Sequence, residues 1–405
     1  MRKILFVDDE PQILEALRHR LHRQRKQWVM QFAGSGKEAL EIMAREPIDV
    51  IVTDMRMPQM DGATLLRKVQ EAYPSVVRIV LSGHAELETA LRAVPVAHQF
   101  LSKPSEPGVI EAVVERACRL QLLVNDDVVK QVVGKVEKLP SIPKVYSQLM
   151  TALAKEDTSV DDVASILKQD MAICAKTLQV VNSAFFRLPR TLGKIEEAVR
   201  YLGLTTVQHI VLGVEVFQYK QGKQAVATGF SIDALQQHSL LVADLASCLC
   251  EDKQVKEDAF VVGLLHDIGK LLVAVELPEQ MSRVLQTMTS CDCSMDTAEE
   301  QTLGVTHAEV GGYLLGLWGL PYPLIEAVAN HHRPGRVESS EFGVLAAVHI
   351  ADVLAHELGT QRSSSGSLPA MDTSFLEAIG VSDRIDGWRE QVRHVLRKRG
   401  RKSHE

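Results

Sequence analysis

The chain has 405 residues, a formal net charge of −7, 46% hydrophobic residues and only 5% aromatics, which fits two or three globular domains and excludes a chain-wide nucleic-acid surface. No apolar run approaches the roughly 20 residues a membrane helix needs, and Met1 leads straight into a strand rather than a signal region, so a cytoplasmic location is expected. The six cysteines include two Cys-x-Cys pairs (Cys248/Cys250 and Cys291/Cys293) without zinc-site spacing, and they read as small buried hydrophobes.

In chain order, Lys3-Ile4-Leu5-Phe6-Val7 is a buried strand ending in Asp8-Asp9, and Pro11 opens a helix with Ile13, Leu14, Leu17 and Leu21 at helical spacing. Trp28 to Ala33 is a second strand, and Gly36 to Arg45 is a helix with Ala39, Leu40 and Met43 on one face. Ile48 to Asp54 is a run of β-branched and apolar residues ending on a carboxylate; the Met57-Pro58 and Asp61-Gly62 steps then force a turn. Val77 to Leu81 ends in Ser82-Gly83, Gln99 to Ser102 runs into Lys103-Pro104, and a helix after Pro107 carries Ile110, Val113, Val114 and Ala117. The alternation predicts five strands and five helices wound into a doubly wound parallel sheet.

Ligands of an open α/β sheet gather beyond the carboxyl ends of its strands, so Asp8, Asp9, Asp54, Ser82 and Lys103 converge on one edge. Unit charges about 4 Å apart repel by about 4 kcal/mol at an effective dielectric near 20, so three packed carboxylates need a cation. Oxygen ligands with room for water suit Mg²⁺. Asp54 is then placed to attack a phosphoryl donor while the metal, Lys103 and Ser82 neutralise charge on the transferring group.

Asp8, Asp9, Asp54, Met57-Pro58, Asp61-Gly62, Ser82 and Lys103-Pro104 stand in an order and spacing that resembles the receiver domain of two-component response regulators, with a flavodoxin-like fold over residues 1–122. The resemblance implies that Asp54 is the phospho-acceptor. It further implies that Asp9, Asp54 and the Arg56 carbonyl hold Mg²⁺ with Asp8 helping through water, that Ser82 tracks the phosphoryl group and that Phe100 fills the switch position.

From Leu120 onward the pattern changes. Val128/Val129, Val132/Val133 and Val136 mark an amphipathic helix over 123–138, read equally as a linker or as the first helix of the next domain. Beyond Leu139-Pro140-Ser141-Ile142-Pro143 the chain reads as helix after helix: Val145 to Leu153, Ser159 to Lys168, Met171 to Asn182, Ile195 to Leu202 and Thr205 to Phe217. An all-helical domain is expected over 139–360, followed over 361–405 by a flexible polar loop (Gln361 to Ser367) and a basic helical tail. That tail ends in Arg397-Lys398-Arg399-Gly400-Arg401-Lys402 and reads as solvated rather than bound to nucleic acid.

The informative histidines of this half lie between residues 238 and 352. His238 opens a helix, His266-Asp267 falls within an apolar helix before Gly269-Lys270, His307 precedes Ala308-Glu309-Val310-Gly311, His331-His332 ends another helix, and Asp352 sits among apolar neighbours. Buried imidazoles and carboxylates need partners. Five imidazoles and two carboxylates make a ligand set for one or two transition metals, which would activate a water against a phosphate ester, with Lys270 helping to hold the phosphate.

The order His…His-Asp-x-Gly-Lys…His…His-His…Asp resembles the HD superfamily of metal-dependent phosphohydrolases. Leu139 to Pro143, Val181 to Ala184, Ala198 to Gly203 and Thr306 to Trp318 bring it closer to the HDOD (HD-related output) branch over about residues 130–355. The resemblance implies a signalling module and transfers a full ligand set, His238, His266, Asp267, His307, His331, His332 and Asp352, for Fe, Mn or Zn. Two departures matter: Arg333-Pro334-Gly335 follows His331-His332 where the related HD-GYP phosphodiesterases carry a Gly-Tyr-Pro segment, and Ala234 stands one turn before His238 where a third metal would need a glutamate.

The expected partners are a sensor histidine kinase, a downstream protein or nucleotide and, as an open alternative, a second copy of the chain. The output is either an interaction scaffold or an HD-type phosphohydrolase acting on a nucleotide; a transcription factor working through the basic C-terminus is the weaker third reading.

Overall fold

The computed structural model describes all residues other than 83–95, 104–106, 124–126, 137–142, 154, 156, 183–187, 189–190, 205, 208–228, 340, 359–366 and 403–405. The apolar runs of the N-terminal half form β1 (Arg2–Val7), β2 (Trp28–Ala33), β3 (Val50–Asp54), β4 (Val77–Ser82) and β5 (Gln99–Ser102). They pair in parallel in the order β2-β1-β3-β4-β5. All of β3 is buried, as a strand covered on both faces must be. Register aligns the strand ends: Val7 lies opposite Thr53, Asp54 opposite Leu81, and Ser82 opposite Ser102. The chain reverses its direction of winding between β1 and β3, which opens a crevice at that edge.

Helices α1 (Pro11–Arg20), α2 (Gly36–Arg45), α3 (Gly62–Ala72) and α4 (Pro107–Leu123) belong to this sheet. Ser35 and Asp61 cap α2 and α3 by accepting from the Glu38 and Thr64 amides. The expected helix between β4 and β5 lies outside the described residues. Helix α5 (Asp127–Lys135) buries Val129 and Val133 and touches both α3 and a helix of the C-terminal half, so it serves as linker and packing element at once.

The C-terminal half is helical throughout its described part. Its first helices are α6 (Pro143–Leu153), α7 (Val160–Leu167), α8 (Met171–Val181) and α9 (Ile195–Leu202). There follow α10 (Ile232–Leu249), α11 (Lys253–Leu265), α12 (Ile268–Glu276), α13 (Pro278–Cys291), α14 (Met295–Leu303), α15 (His307–Leu317), α16 (Tyr322–Asn330) and α17 (Val344–Leu358). Most of the expected helix Thr205 to Phe217 and of the loop Gln361 to Ser367 lies outside the described residues. The inner helices α8, α12, α15 and α17 are almost wholly buried. Gly269 makes a close crossing: a Cβ there would stand 2.0 Å from the His307 carbonyl oxygen, so only hydrogen lets α12 meet α15.

Four sequence expectations need correction. His238 does not open its helix; Ser231 caps α10, and His238 lies almost two turns inside it. His266-Asp267 is not within a helix but at the break between α11 and α12, with His266 closing one and Asp267 opening the next. The C-terminal segment is more than loop and solvated tail, because α18 (Thr373–Ala378) and α19 (Ile385–Lys402) bury Phe375, Leu376, Trp388 and Val392 against the helical core. Cys248 and Cys291 are exposed rather than buried, each near the outer end of its helix. No described helix is long and apolar enough to cross a membrane.

Candidate functional site

At the sheet edge, strand register brings Asp8, Asp54 and Lys103 into contact. Lys103 Nζ donates to Asp8 Oδ2 at 2.6 Å and stands 2.5 Å from Asp54 Oδ1. Asp54 Oδ2 accepts from the Arg56 amide at 2.9 Å, and Asp8 Oδ1 accepts from the Glu10 amide at 3.0 Å. Burial raises the Asp54 carboxyl above its ordinary range, and Lys103 opposes that shift. Burial also works against the Lys103 ammonium, but Asp54 and Asp8 outweigh it and hold the lysine above its usual value. Asp9 is half-buried beyond the end of β1, Arg56 is exposed, and Phe100 is buried on β5. Ser82 is the last residue of β4, one strand away from Asp54.

The second constellation lies in the helical half, and all seven expected ligands meet there. Asp267, His307, His331 and His332 form one group of converging donor atoms, and His238, His266 and Asp352 form another. Asp267 joins them: Oδ2 is 3.3 Å from His266 Nε2, and Oδ1 is 3.2 Å from His307 Nε2. His238 Nε2 lies 3.0 Å from Asp352 Oδ1. Lys270, one turn into α12, donates to Asp267 Oδ2 at 2.8 Å and steadies that carboxylate.

Hydrogen bonds behind the imidazoles set which nitrogen faces inward. The Nδ1 atoms of His266 and His331 lie 2.7 and 2.8 Å from the Gly263 and Val328 carbonyl oxygens, and His307 Nδ1 lies 2.6 Å from buried Glu299. Each Nδ1 therefore donates, which leaves the Nε2 lone pair aimed into the centre. There His266 Nε2, His331 Nε2 and Asp267 Oδ1 are buried without a hydrogen-bond partner. Each orphaned atom costs about 1–3 kcal/mol, and converging lone pairs are what a cation satisfies.

The electrostatics divide the imidazoles: neighbouring carboxylates favour the charged ring at His266 and His307, so a cation there would displace a proton, whereas His331 and His332 are held neutral. Burial opposes charge on His266, yet Asp267 and Asp352 push it up to about 10. Burial works against the Asp267 carboxylate as well, but His266 and Lys270 hold it well below its usual range. His331 and His332 are pushed well down by burial and by the imidazoles around them, which keeps them neutral as ligands must be. Three contributors were not singled out from sequence. Glu299 orients His307 from eight residues upstream, with no local signal. His349 Nδ1 lies 2.8 Å from the His331 carbonyl oxygen, and His356 Nε2 lies 3.5 Å from Asp352 Oδ1. The spacing of His349, Asp352 and His356 on one helix was the available clue.

Comparison with known proteins follows this division. The response regulator receiver domain model matches residues 4–115, and the HDOD domain model matches residues 139–334. An uncharacterized protein of Treponema pallidum (strain Nichols) is 24% identical over 210 residues, 50% of this chain and 39% of its own length. Response regulator protein PilR of Pseudomonas aeruginosa is 37% identical over 121 residues, 30% of this chain and 27% of its own length. The chain thus spans well under half the length of these curated relatives. Among solved structures, the MmoQ response regulator of Methylococcus capsulatus str. Bath is similar with a TM-score of 0.47 and 21% identity, covering 62% of this chain and 98% of that one. An HDOD domain protein of unknown function from Geobacter sulfurreducens has a TM-score of 0.40 and 24% identity, covering 69% of this chain and 97% of that one. This chain joins an N-terminal response regulator receiver domain to a C-terminal HDOD domain.

Proposed function

We propose that Asp54 accepts a phosphoryl group from a sensor histidine kinase and that the charge it gains controls the HDOD domain as output. The observation that carries this reading is the Asp8–Lys103–Asp54 contact at the carboxyl ends of β1, β3 and β5. In this role Asp54 is the nucleophile, Lys103 neutralises the arriving phosphoryl oxygens and Ser82 hydrogen-bonds one of them. Asp8, Asp9, Asp54 and the Arg56 carbonyl would hold Mg²⁺, which supplies further charge neutralisation. Phosphorylation adds about −1.5 to −2 charge, and drawing Lys103 toward it would disturb β5 and Phe100. The same β5 reaches the output, where Gln99 Nε2 donates to the Gly316 carbonyl of α15 at 3.2 Å. The test is phosphoryl incorporation from a small acyl phosphate with Mg²⁺. Asp54→Asn should abolish it, and incorporation that persists in the variant would end this reading.

The output domain would act by binding a downstream protein or nucleotide. A second reading, metal-dependent phosphohydrolysis, is favoured by the three orphaned atoms of the His/Asp centre. Fe, Mn or Zn bound there would supply Lewis acidity toward a phosphate ester. His238, His266, Asp267, His307, His331, His332 and Asp352 would hold the metal, and Lys270 would position Asp267. Metal analysis of the full chain against His266→Ala, followed by a screen of nucleotide phosphoesters, separates the readings. Metal lost in the variant together with phosphate release supports hydrolysis, whereas metal-loaded protein that cleaves nothing leaves the binding module.

A further inference from the structure

The two ends of the His/Asp centre look unequal. Among the described residues, one end brings together Asp267 with three imidazoles, His307, His331 and His332, whereas the converging group at the other is Asp352 with His238 and His266. One turn before His238 stands Ala234, which has no donor, so a further ligand for that end must come from another element.

Helix α17 supplies one. His356 follows Asp352 by one turn, and its ring lies 4.5 Å from that of His238. The Nε2 atoms of His238, His356 and His266 stand 3.0, 3.5 and 3.7 Å from the same oxygen, Asp352 Oδ1. Ligands bonded at about 2.0–2.1 Å to a four-coordinate metal lie about 3.4 Å apart, so each of the three nitrogens stands near ligand-to-ligand distance from the shared oxygen Asp352 Oδ1. The His356 side chain is 22% exposed, which places it at the solvent side of the centre while His266 is fully buried.

We infer that His356 is a ligand of the cation held by His238, His266 and Asp352. The centre is then two matched half-sites, each of three imidazoles and one carboxylate, with Asp267 between them. Such a set suits Zn, Fe or Ni better than Mg or Ca. The inference rests on the reading that the centre binds metal at all.

The experiment titrates the full chain with Co²⁺ after chelation, following bound metal and the visible ligand-field bands, for the unaltered protein, His356→Ala and His356→Gln. The unaltered chain should take up two equivalents. Both variants should keep one tight equivalent and hold the second at least about tenfold more weakly, with altered bands. Free imidazole should restore the second site in His356→Ala, which a purely structural role would not allow. Two equivalents with unaltered affinity and bands in both variants would overturn the inference while leaving a metal centre in place. Normal binding in His356→Gln with loss in His356→Ala would show that His356 acts only through its contact with Asp352, and would overturn it too. An unaltered chain that binds no Co²⁺ would remove the metal reading itself, and the inference with it.

Discussion

Gln99 Nε2 donates a hydrogen bond of 3.2 Å to the carbonyl of Gly316, 217 residues away. The bond ties β5, which leads into Lys103, to α15, which begins at His307. Arg116 holds the other end of the same amide, donating to Gln99 Oε1 at 2.9 Å. A Cβ at Gly316 would stand 2.3 Å from Leu120 Cδ2, so α4 and α15 meet closely beside the bond. Gln99→Ala should remove about 1 kcal/mol of stability. A phosphoryl mimic at Asp54 is expected to change amide exchange over residues 307–317 in the unaltered chain, and Gln99→Ala should abolish that change. If the exchange response survives intact, coupling runs by another route.

Gly269→Ala tests the crossing that builds the output centre. The added methyl would meet the His307 carbonyl at 2.0 Å, backbone against backbone, so α12 and α15 must move apart. A loss of about 3 kcal/mol in urea unfolding is expected, with weaker metal uptake. Unaltered stability would contradict this packing.

The pH dependence of phosphorylation should follow Asp54. In the proposed reaction its ionised form would be the nucleophile, and burial raises its pKa, so reactivity should fail as pH falls, beginning above the range of an ordinary aspartate. Lys103→Met removes the group that opposes this rise. The fall should move to higher pH and the rate at neutral pH should drop by about tenfold or more, since charge-assisted hydrogen bonds are worth about 1.5–3 kcal/mol. A rate–pH profile at saturating Mg²⁺ checks both.

His98 should make the fold sensitive to mild acid. Burial, then the nearby Arg78 and Lys176 cations, push its pKa well below 6.5. In the unfolded chain His98 takes up a proton as pH falls below about 6.5, while in the folded chain it stays neutral. The unfolded state then binds more protons, so stability falls with pH by up to about 1.4 kcal/mol per unit until the folded pKa is reached. Urea midpoints at about pH 7.5 and pH 5.5 should separate less in His98→Gln; an equal separation would place the acid sensitivity elsewhere.

The receiver half was legible because topology does most of the placing. In a parallel sheet all strand ends face one edge, so finding Asp8, Asp54 and Lys103 at the ends of three apolar runs was enough to bring them together. The candidate ligand residues of the output were legible as residue types. Their surroundings were less so, as the misplaced start of the His238 helix and the unseen break at His266-Asp267 show. A helix break inside an apolar run leaves little trace in periodicity, because every position there is buried.

By itself the sequence determined the five-strand, parallel character of the first half, the helical character of the second, and the identity of the polar residues that need partners. Only the tertiary structure decided that Asp267 faces both groups of imidazoles, that Glu299 backs His307, that His356 stands beside Asp352, and that Gln99 reaches Gly316. Those contacts depend on where helices cross and how closely their backbones approach. Crossing is set by packing between segments far apart in the chain, which local spacing does not encode.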